Sequence, residues 1–195
     1  MVEQPTPGEM EVAEAGRGGF IAAIPPHLIE AEDKLPALVR DLNSATSSKL
    51  HRIYQVAEEL SRVRAPFVAC KRGCSACCHM NVSLTKAEAE RLARASGRKA
   101  ARVQSEPRHA PDAFAGKPCP FLDAKGACSV YADRPLSCRK HASFFETAAA
   151  CAPSVMNAMK VPLVGFSGLD EALFAVSGVE GSLLVGIRDF FRGKR

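Results

Sequence analysis

The chain of 195 residues has no tryptophan and only two tyrosines, so its core must be mostly aliphatic. Hydrophobic residues make up 47% of the sequence, which is a globular proportion, and the length is sufficient for one domain with a substantial core. The net charge of +5 is mild and does not define a strongly basic surface. An acidic protein is a partner that this charge permits, whereas nucleic acid is not expected.

Targeting and membrane-spanning patterns are also missing from the sequence. The first fifteen residues carry four glutamates instead of a basic stretch followed by an apolar one, so no secretory signal is recognisable. The apolar stretch at 161–187 is interrupted by acidic residues and glycines, whereas a membrane span takes about 20 consecutive apolar residues. We therefore expect a cytoplasmic protein that does not insert into a membrane.

Cysteine, by contrast, is abundant. Four of the eight cysteines lie in the segment C-K-R-G-C-S-A-C-C-H at 70–79: Cys70, Cys74, Cys77 and Cys78. Packing does not require thiols at this density, whereas soft thiolate ligands around a metal ion do. A C-x-x-C step places two sulfurs on one ion around a tight turn, and Gly73 supplies backbone freedom for that turn. The other cysteines are Cys119, Cys128, Cys138 and Cys151, so the chain must fold back to complete the site.

The same eight cysteines would make four disulfides in a secreted protein. The absence of a secretory pattern argues against this, and the adjacent pair Cys77 and Cys78 suits a densely packed disulfide framework poorly. Clustered cysteines in a cytosolic chain more often bind metal or act in redox chemistry. We therefore predict that all eight cysteines are metal ligands.

The sequence around the cysteines predicts helices. Residues 1–26 are rich in proline, glycine and glutamate, which predicts a disordered or loosely attached segment. Apolar residues spaced by three and four predict a helix over 33–64, bent or split at 44–48 and carrying Pro36 in its first turn. Thr85 and Glu88 form a capping-box pattern before a helix that extends to about Gln104.

Two further helical pieces are expected after the last cysteine, at 169–177 and 182–191. The predicted fold class is mainly α. Residues 27–195 would form one small helical domain, with irregular cysteine-bearing loops gathered around a metal centre whose core spans about 66–151.

Three motifs continue the cysteine pattern downstream. C-P-F-L begins at Cys119, C-S-V-Y runs from Cys128 to Tyr131, and R-P-L-S-C-R runs from Arg134 to Arg139. Together with C-x3-C-x2-C-C, this order resembles the YkgJ-type CxxxCxxCC cysteine-cluster family, described as a zinc- or iron-chelating domain. The resemblance covers about 66–151 and implies cysteine-bound zinc or an iron–sulfur cluster. His141 departs from the aromatic residue that such proteins often carry at this position.

The number of metal ions stays open at this point. Adjacent cysteines such as Cys77 and Cys78 project differently, so one of them would turn towards a second ion or a second atom of a cluster. Eight thiols fit two zinc sites of four thiolates each, or one four-cysteine iron–sulfur cluster with thiols left over.

Basic residues near the cysteines are candidates for charge compensation. Four thiolates on a zinc ion leave a net charge of about −2, and a cuboidal iron–sulfur cluster is similarly anionic. We expect Arg134 and Arg139 to contact such a centre, with Tyr131 as an apolar cover that shields it from water. Other basic side chains beside the ligands are Lys71, Arg72 and Lys140.

Two of the five histidines are additional candidate ligands. His79 follows the cysteine cluster directly, and His141 completes a C-x2-H step with Cys138. His27, His51 and His109 have no such context and are expected on the surface.

Several enzyme classes share parts of this pattern. C-x3-C-x2-C is the signature of radical S-adenosylmethionine enzymes, but the chain after Cys78 lacks the alternating strands and helices of their barrel. A thiol–disulfide enzyme would need a thioredoxin-like βαβ pattern around Cys74 and Cys77, and a zinc hydrolase would usually carry an H-E-x-x-H run or similar ligands. The sequence has neither the βαβ pattern nor the H-E-x-x-H run.

The leading hypothesis is therefore a metal-binding protein with a structural, redox or metal-carrier role and no assigned catalytic residue. The alternative is a redox or S-adenosylmethionine-linked methyl-transfer enzyme with an iron–sulfur centre. This alternative comes from the resemblance, because a similar cluster is associated with flagellin lysine methylases.

Overall fold

The computed structural model describes residues 4–105, 107, 109–110, 113–114, 116–156, 158–181 and 183–191, with the backbone alone for 177–181. This part of the chain is mainly helical, which confirms the predicted fold class. Its α-helices are α1 (Pro7–Ala23), α2 (Pro26–Asp41), α3 (Thr46–Arg64), α4 (Lys86–Ser96), α5 (Leu136–Lys140), α6 (Pro153–Met156), α7 (Ser167–Gly181) and α8 (Ile187–Phe190). Short 3-10 turns lie at Ala65–Phe67, Ala76–His79, Tyr131–Asp133 and Ala148–Cys151, and strands β1 (Ser83–Leu84) and β2 (Val185–Gly186) pair antiparallel.

Helices α1, α2, α3 and α7 enclose the larger of two apolar clusters, which we call the helical core. The apolar positions spaced by three and four in α2 and α3 point into it, and Leu35, Val39, Leu50 and Ile53 are almost completely buried. Burying such a stripe is what stabilises a helix in a protein, since isolated helices of this length are marginal in water.

The N-terminal segment corrects an expectation. Residues 7–23 form α1 rather than a disordered segment, and Thr6 and Glu9 build a reciprocal capping box at its start. Phe20 is completely buried in the helical core, where its ring lies 5.9 Å from the ring of Phe144. The sequence pattern missed this helix because its apolar face is narrow and interrupted by glycine. Residues 1–3 lie outside the described part of the chain.

The predicted helix over 33–64 is two helices, α2 and α3, separated near the expected Ser/Thr cluster. Pro36 is not in a first turn but inside α2, where it is buried. Proline has no N–H to bond the carbonyl four residues earlier, so the Glu32 carbonyl is released from the helix ladder. The Glu32 side chain accepts a hydrogen bond of 2.9 Å from the Leu169 N–H and so caps the start of α7.

A second, smaller apolar cluster lies beside the two-stranded sheet, and we call it the sheet cluster. Its buried members come from several short segments: Leu84, Ala89, Leu92, Phe121, Val130, Val185, Ile187, Phe190 and Phe191. Ser83 pairs with Gly186 and Leu84 with Val185, so the sheet joins the segment after the 70–79 loop to the C-terminal part of the described chain.

The predicted capping box of α4 is confirmed. Thr85 accepts from the Glu88 N–H, and the Glu88 carboxylate accepts from the Thr85 N–H at 2.9 Å. Glu88 is completely buried and also accepts from the Leu136 N–H at 2.7 Å, so it holds the start of α5. The helix ends at Ser96, earlier than the expected Gln104, because Gly97 adopts a left-handed conformation with φ of +67°.

The C-terminal expectations are partly corrected. The piece expected at 169–177 belongs to the longer helix α7, whereas the piece expected at 182–191 contains strand β2 and the short helix α8. Ser182 lies outside the described residues. No helix in the described ranges is long and apolar enough to cross a bilayer.

Candidate metal centre

The first cysteine segment forms tight turns that present its thiols on one side. Gly73 has a φ of +95°, a conformation that side-chain-bearing residues rarely adopt, and the Cys74 N–H donates to the Lys71 carbonyl at 2.9 Å. Cys77 and Cys78 lie in the 3-10 turn 76–79, where the Cys78 N–H donates to the Ser75 carbonyl at 2.9 Å. The predicted use of Gly73 for a turn is therefore confirmed.

The second segment is a small hairpin that is attached directly to the first. The Cys119 N–H donates to the Cys78 carbonyl at 2.8 Å. The hairpin then closes through an antiparallel bridge between Leu122 and Cys128, with the Leu122 N–H donating to the Cys119 carbonyl at 2.9 Å. Both cysteines of the hairpin pack against the sheet cluster.

The last two cysteines come from short helical turns. Cys138 lies in α5, which packs against α3 and β1. Cys151 is buried at the end of the turn 148–151, which packs against the turn 76–79. The Cys70 sulfur accepts a hydrogen bond of 3.4 Å from the Ser143 N–H. The chain thus folds back on the 70–79 loop twice, as the spacing of the cysteines required.

A cavity of about 520 Å³ gathers these segments, and every cysteine except Cys151 lines it. Cys151 is buried outside the lining, and its thiol is hydrogen-bonded to Cys70. All eight cysteines are free thiols, and the seven that line the cavity are only partly exposed. Sequence reasoning therefore identified residues that the tertiary structure does bring together.

The thiols differ strongly in acidity. The hydrogen bond from Cys151 lowers the pKa of Cys70 to about 6, and a hydrogen bond from Cys77 lowers the pKa of Cys78 to about 7. The donors of these bonds, Cys77 and Cys151, have raised pKa values for the same reason. Burial raises the pKa of Cys119 to about 11. A bound cation would favour the thiolate form of each ligand and release these protons.

The donor set fits zinc or an iron–sulfur centre. Thiolates are the ligands that both prefer, and seven cysteines line one cavity, with Cys151 hydrogen-bonded to one of them. Four of the thiols, however, form two hydrogen-bonded pairs, Cys151 with Cys70 and Cys77 with Cys78. Among the described residues, no three of the Cys, His, Asp and Glu side chains stand in a ready coordination geometry. Binding would therefore require the thiols to turn towards the metal.

The predicted charge-compensating residues line the cavity but are engaged elsewhere. Arg139 is buried and donates to Glu58 at 3.1 Å and to the Arg134 carbonyl at 2.9 Å. Arg134 lies 4.0 Å from the centre of the Tyr131 ring and 3.6 Å from Glu58, and its charge reaches Cys128. Tyr131 is partly exposed and lines the cavity, as a cover would.

Two of the other basic candidates lie on the outside. Lys71 and Arg72 are exposed, and Arg72 stands 5.6 Å from the centre of the Tyr131 ring. Lys140 forms an ion pair with Asp170 of α7, so its charge is satisfied away from the thiols.

Two arginines that the sequence pattern did not single out also interact electrostatically with the thiols. Arg64, at the end of α3, is 6% exposed and interacts electrostatically with Cys70. Arg188, in α8, interacts with Cys119 and Cys78. The Nε–H of each is buried and has no hydrogen-bond partner in the described part of the chain. Neither residue is adjacent to a cysteine in sequence, so only the fold could reveal them.

The histidines divide as follows. The His79 imidazole hydrogen-bonds the Ser75 carbonyl at 3.2 Å within its own turn. His141 lines the cavity, and its buried Nε2 has no partner among the described residues. Burial and the charge of Arg64 lower the pKa of His141, which keeps the imidazole neutral and able to bind a metal. His27 and His51 are exposed, and His109 pairs with Asp189 at 2.9 Å.

The structure is that of a mainly helical protein whose cysteines gather at one cavity. Residues 69–154 match the family CxxCxxCC, described as "Putative zinc- or iron-chelating domain". This is the family that the motifs resemble, and the matched residues are the cysteine-bearing part of the chain. The match covers less than half of the chain and contains all eight cysteines. No curated protein and no solved structure was found to match the chain.

Proposed function

We propose that this protein binds zinc or an iron–sulfur centre through its eight cysteines, and that the bound metal fixes the cysteine-bearing loops against the helices. The observation that carries the proposal is the convergence of cysteines from separate segments on one cavity, with Cys151 hydrogen-bonded to Cys70 of its lining. The family description, a zinc- or iron-chelating domain, supports the same chemistry.

The structural part of the role follows from how little regular structure these loops have. Between the 3-10 turn that ends at Phe67 and the start of α5, the described elements are α4, the two-residue strand β1 and short turns. Such segments bury little apolar surface of their own, so few contacts oppose their conformational entropy. The free energy of metal binding is then also folding free energy for the loops.

The cavity also provides access to the centre. Seven of the cysteines are partly exposed, the exposed Lys71 lines the cavity, and its neighbour Arg72 is an exposed positive charge next in sequence. An acidic protein surface would dock there, through which electrons or metal could pass. A redox or carrier role is therefore the second part of the proposal.

The deciding experiment is metal analysis of protein purified without oxygen. We expect about one to two zinc ions per chain, or the iron and sulfide of cuboidal clusters with a broad visible absorption band. A preparation with neither metal would overturn the proposal. Tight binding of S-adenosylmethionine by the iron-loaded protein would instead favour the methyl-transfer alternative.

Variants at single cysteines sharpen the test. Cys138→Ser is expected to lower metal content and the thermal midpoint together, because the ligand and the fold depend on each other. Ser75→Ala is the matched control, since Ser75 lies in the same loops but carries no thiol. Full metal content in the Cys138 variant would remove this residue from the ligand set.

A further inference from the structure

The eight thiols do not form one uniform group. Cys78, Cys119 and Cys128 are tied together through the backbone, by the 2.8 Å hydrogen bond from the Cys119 N–H to the Cys78 carbonyl and by the hairpin bridge of Cys128 with Leu122. Cys138 approaches these three from α5, which packs on β1.

Each of these four cysteines interacts electrostatically with the other three. Cys138 interacts with Cys119, Cys78 and Cys128. Cys119 also interacts with Cys78 and Cys128, and Cys128 interacts with Cys78. Every pair within the four is therefore close, and the hairpin cysteines of the group border the sheet cluster. We call Cys78, Cys119, Cys128 and Cys138 the hairpin set.

The remaining four cysteines are organised around Cys151. The Cys151 thiol is hydrogen-bonded to Cys70 and interacts with Cys74 and Cys77. Cys77 also interacts with Cys78 and Cys138, so it lies at the junction of the two groups. The 3-10 turn that ends at Cys151 follows Phe144 and Phe145 of the helical core. We call Cys70, Cys74, Cys77 and Cys151 the helical set. We assign Cys77 to this set because the hairpin set has four thiols without it, which puts the boundary between the sets at the hydrogen-bonded neighbours Cys77 and Cys78.

Each set has its own arginine with a buried Nε–H. Arg64 interacts with Cys70 of the helical set, and its Nη1 and Nη2 are held by the carbonyls of Lys140 and Arg139 at 2.6 and 2.8 Å. Arg188 interacts with Cys119 and Cys78 of the hairpin set, and its Nη1 donates to the Met80 carbonyl at 2.9 Å. In both arginines the Nε–H lacks a partner among the described residues.

A buried N–H donor without an acceptor is unfavourable, and an anionic sulfur would satisfy it. The four-thiolate site of either zinc or a cuboidal cluster is anionic and provides such sulfurs. The arginines lie outside the family match at 69–154, so flanking segments of this chain supply the compensating charge.

We propose that the protein holds two separate four-thiolate metal sites, one on the hairpin set with Arg188 and one on the helical set with Arg64. This inference rests on the proposed function, because it assigns the ligands of the metal that the function requires. Adjacent cysteines on opposite sides of the boundary explain why a vicinal pair is useful here: its two side chains serve different ions.

The test titrates metal-free protein with Zn²⁺ without oxygen and counts bound ions by native mass spectrometry. Wild type is expected to bind two. The same-set variants Cys70→Ser with Cys151→Ser, and Cys119→Ser with Cys128→Ser, are each expected to bind one. The cross-set variant Cys151→Ser with Cys128→Ser has the same number of changes and is expected to bind none tightly.

The outcomes separate the two proposals. A single ion in wild type that every double variant loses would overturn the two-site assignment and leave the proposed function standing. No ion in wild type would overturn both. Equal counts in same-set and cross-set variants would also reject the assignment.

A second measurement needs no variant and so does not depend on mutant folding. Wild type loaded with one equivalent of Zn²⁺ is alkylated briefly, and the protected cysteines of single molecules are located by mass spectrometry. Protection is expected in complete sets, either Cys78, Cys119, Cys128 and Cys138 or Cys70, Cys74, Cys77 and Cys151. Molecules that protect mixtures of the two sets would overturn the assignment.

Discussion

The helical core and the sheet cluster are held together by different means. The helical core is made by long helices whose buried side chains lie on continuous faces, such as Leu50 and Ile53 of α3. The sheet cluster joins one helix of moderate length to a hairpin, a two-residue strand pair and α8. Two of its bordering residues, Cys119 and Cys128, are thiols.

This difference indicates where metal matters most. Long helices with a buried stripe remain stable through packing, whereas short irregular segments with a small core usually need a cross-link such as a metal ion. The hairpin set lies against the sheet cluster and would provide that cross-link. The helical core should depend on its metal far less.

Metal removal should therefore have the largest effect and should act unequally on the two regions. Chelation removes binding energy on the order of 10 kcal/mol from a structural zinc site. We expect amide hydrogen exchange to rise steeply over 117–131 and 183–191 but to stay slow in α2 and α3. Uniform exchange across both regions after chelation would contradict the comparison.

Shortening a buried side chain should destabilise either region, but it should affect zinc binding only in the sheet cluster. Leu50→Ala in the helical core and Leu92→Ala in the sheet cluster each remove a side chain that is almost fully buried, at a cost of about 2 to 5 kcal/mol. Only Leu92→Ala is expected to weaken zinc binding at the hairpin set, because it loosens the segments that carry these ligands. Paired denaturation and zinc titrations measure both effects. Weaker binding in the Leu50 variant alone would reverse the assignment.

Each of the two arginines is expected to affect zinc affinity at only one of the two cysteine sets. Arg188→Gln is expected to weaken zinc affinity about 10-fold at the hairpin set, and Arg64→Gln by a similar factor at the helical set, as for other residues that support metal ligands. The lysine variants at both positions keep the charge and serve as controls for packing, so they should recover part of the affinity. Competition with a chromogenic chelator gives these constants. Equal affinities in the glutamine and lysine variants would show that the charge is not what matters.

The smallest expected effect is a difference in alkylation rate among the thiols of the metal-free protein. The pKa of Cys70 is lowered to about 6 and that of Cys78 to about 7, whereas that of Cys119 is raised to about 11. Because the thiolate is the nucleophile, Cys70 and Cys78 should be alkylated first at pH 7.5. The rate at Cys70 should level off above pH 7, while the rate at Cys119 should still rise above pH 9. Pulsed alkylation with peptide mapping measures this order, and uniform rates would contradict it.

The local parts of the fold could be predicted from sequence. The capping box of Thr85 and Glu88 and the turn at Gly73 depend only on neighbouring residues, so their short patterns are sufficient. The apolar spacing in α2 and α3 likewise marks the face that is buried. Helix α1 was missed because its attachment depends on Phe20 reaching the helical core, a contact with distant residues.

Glu88 illustrates the limit of local patterns. Its position in the capping box was evident, but its carboxylate also binds the Leu136 N–H and the Tyr54 hydroxyl, which come from α5 and α3. The side chain thereby fixes the helix that carries Cys138 relative to α3. No spacing rule contains this information, because the partners lie 48 and 34 residues away.

The sequence by itself determined the chemistry of this protein: eight thiols at spacings that suit soft metal ions, on a mainly helical chain. The tertiary structure decided which thiols are neighbours and which arginines face them. The physical reason is that ligand chemistry belongs to the side chain, whereas proximity between Cys78 and Cys138, or between Arg188 and Cys119, arises only when distant segments pack.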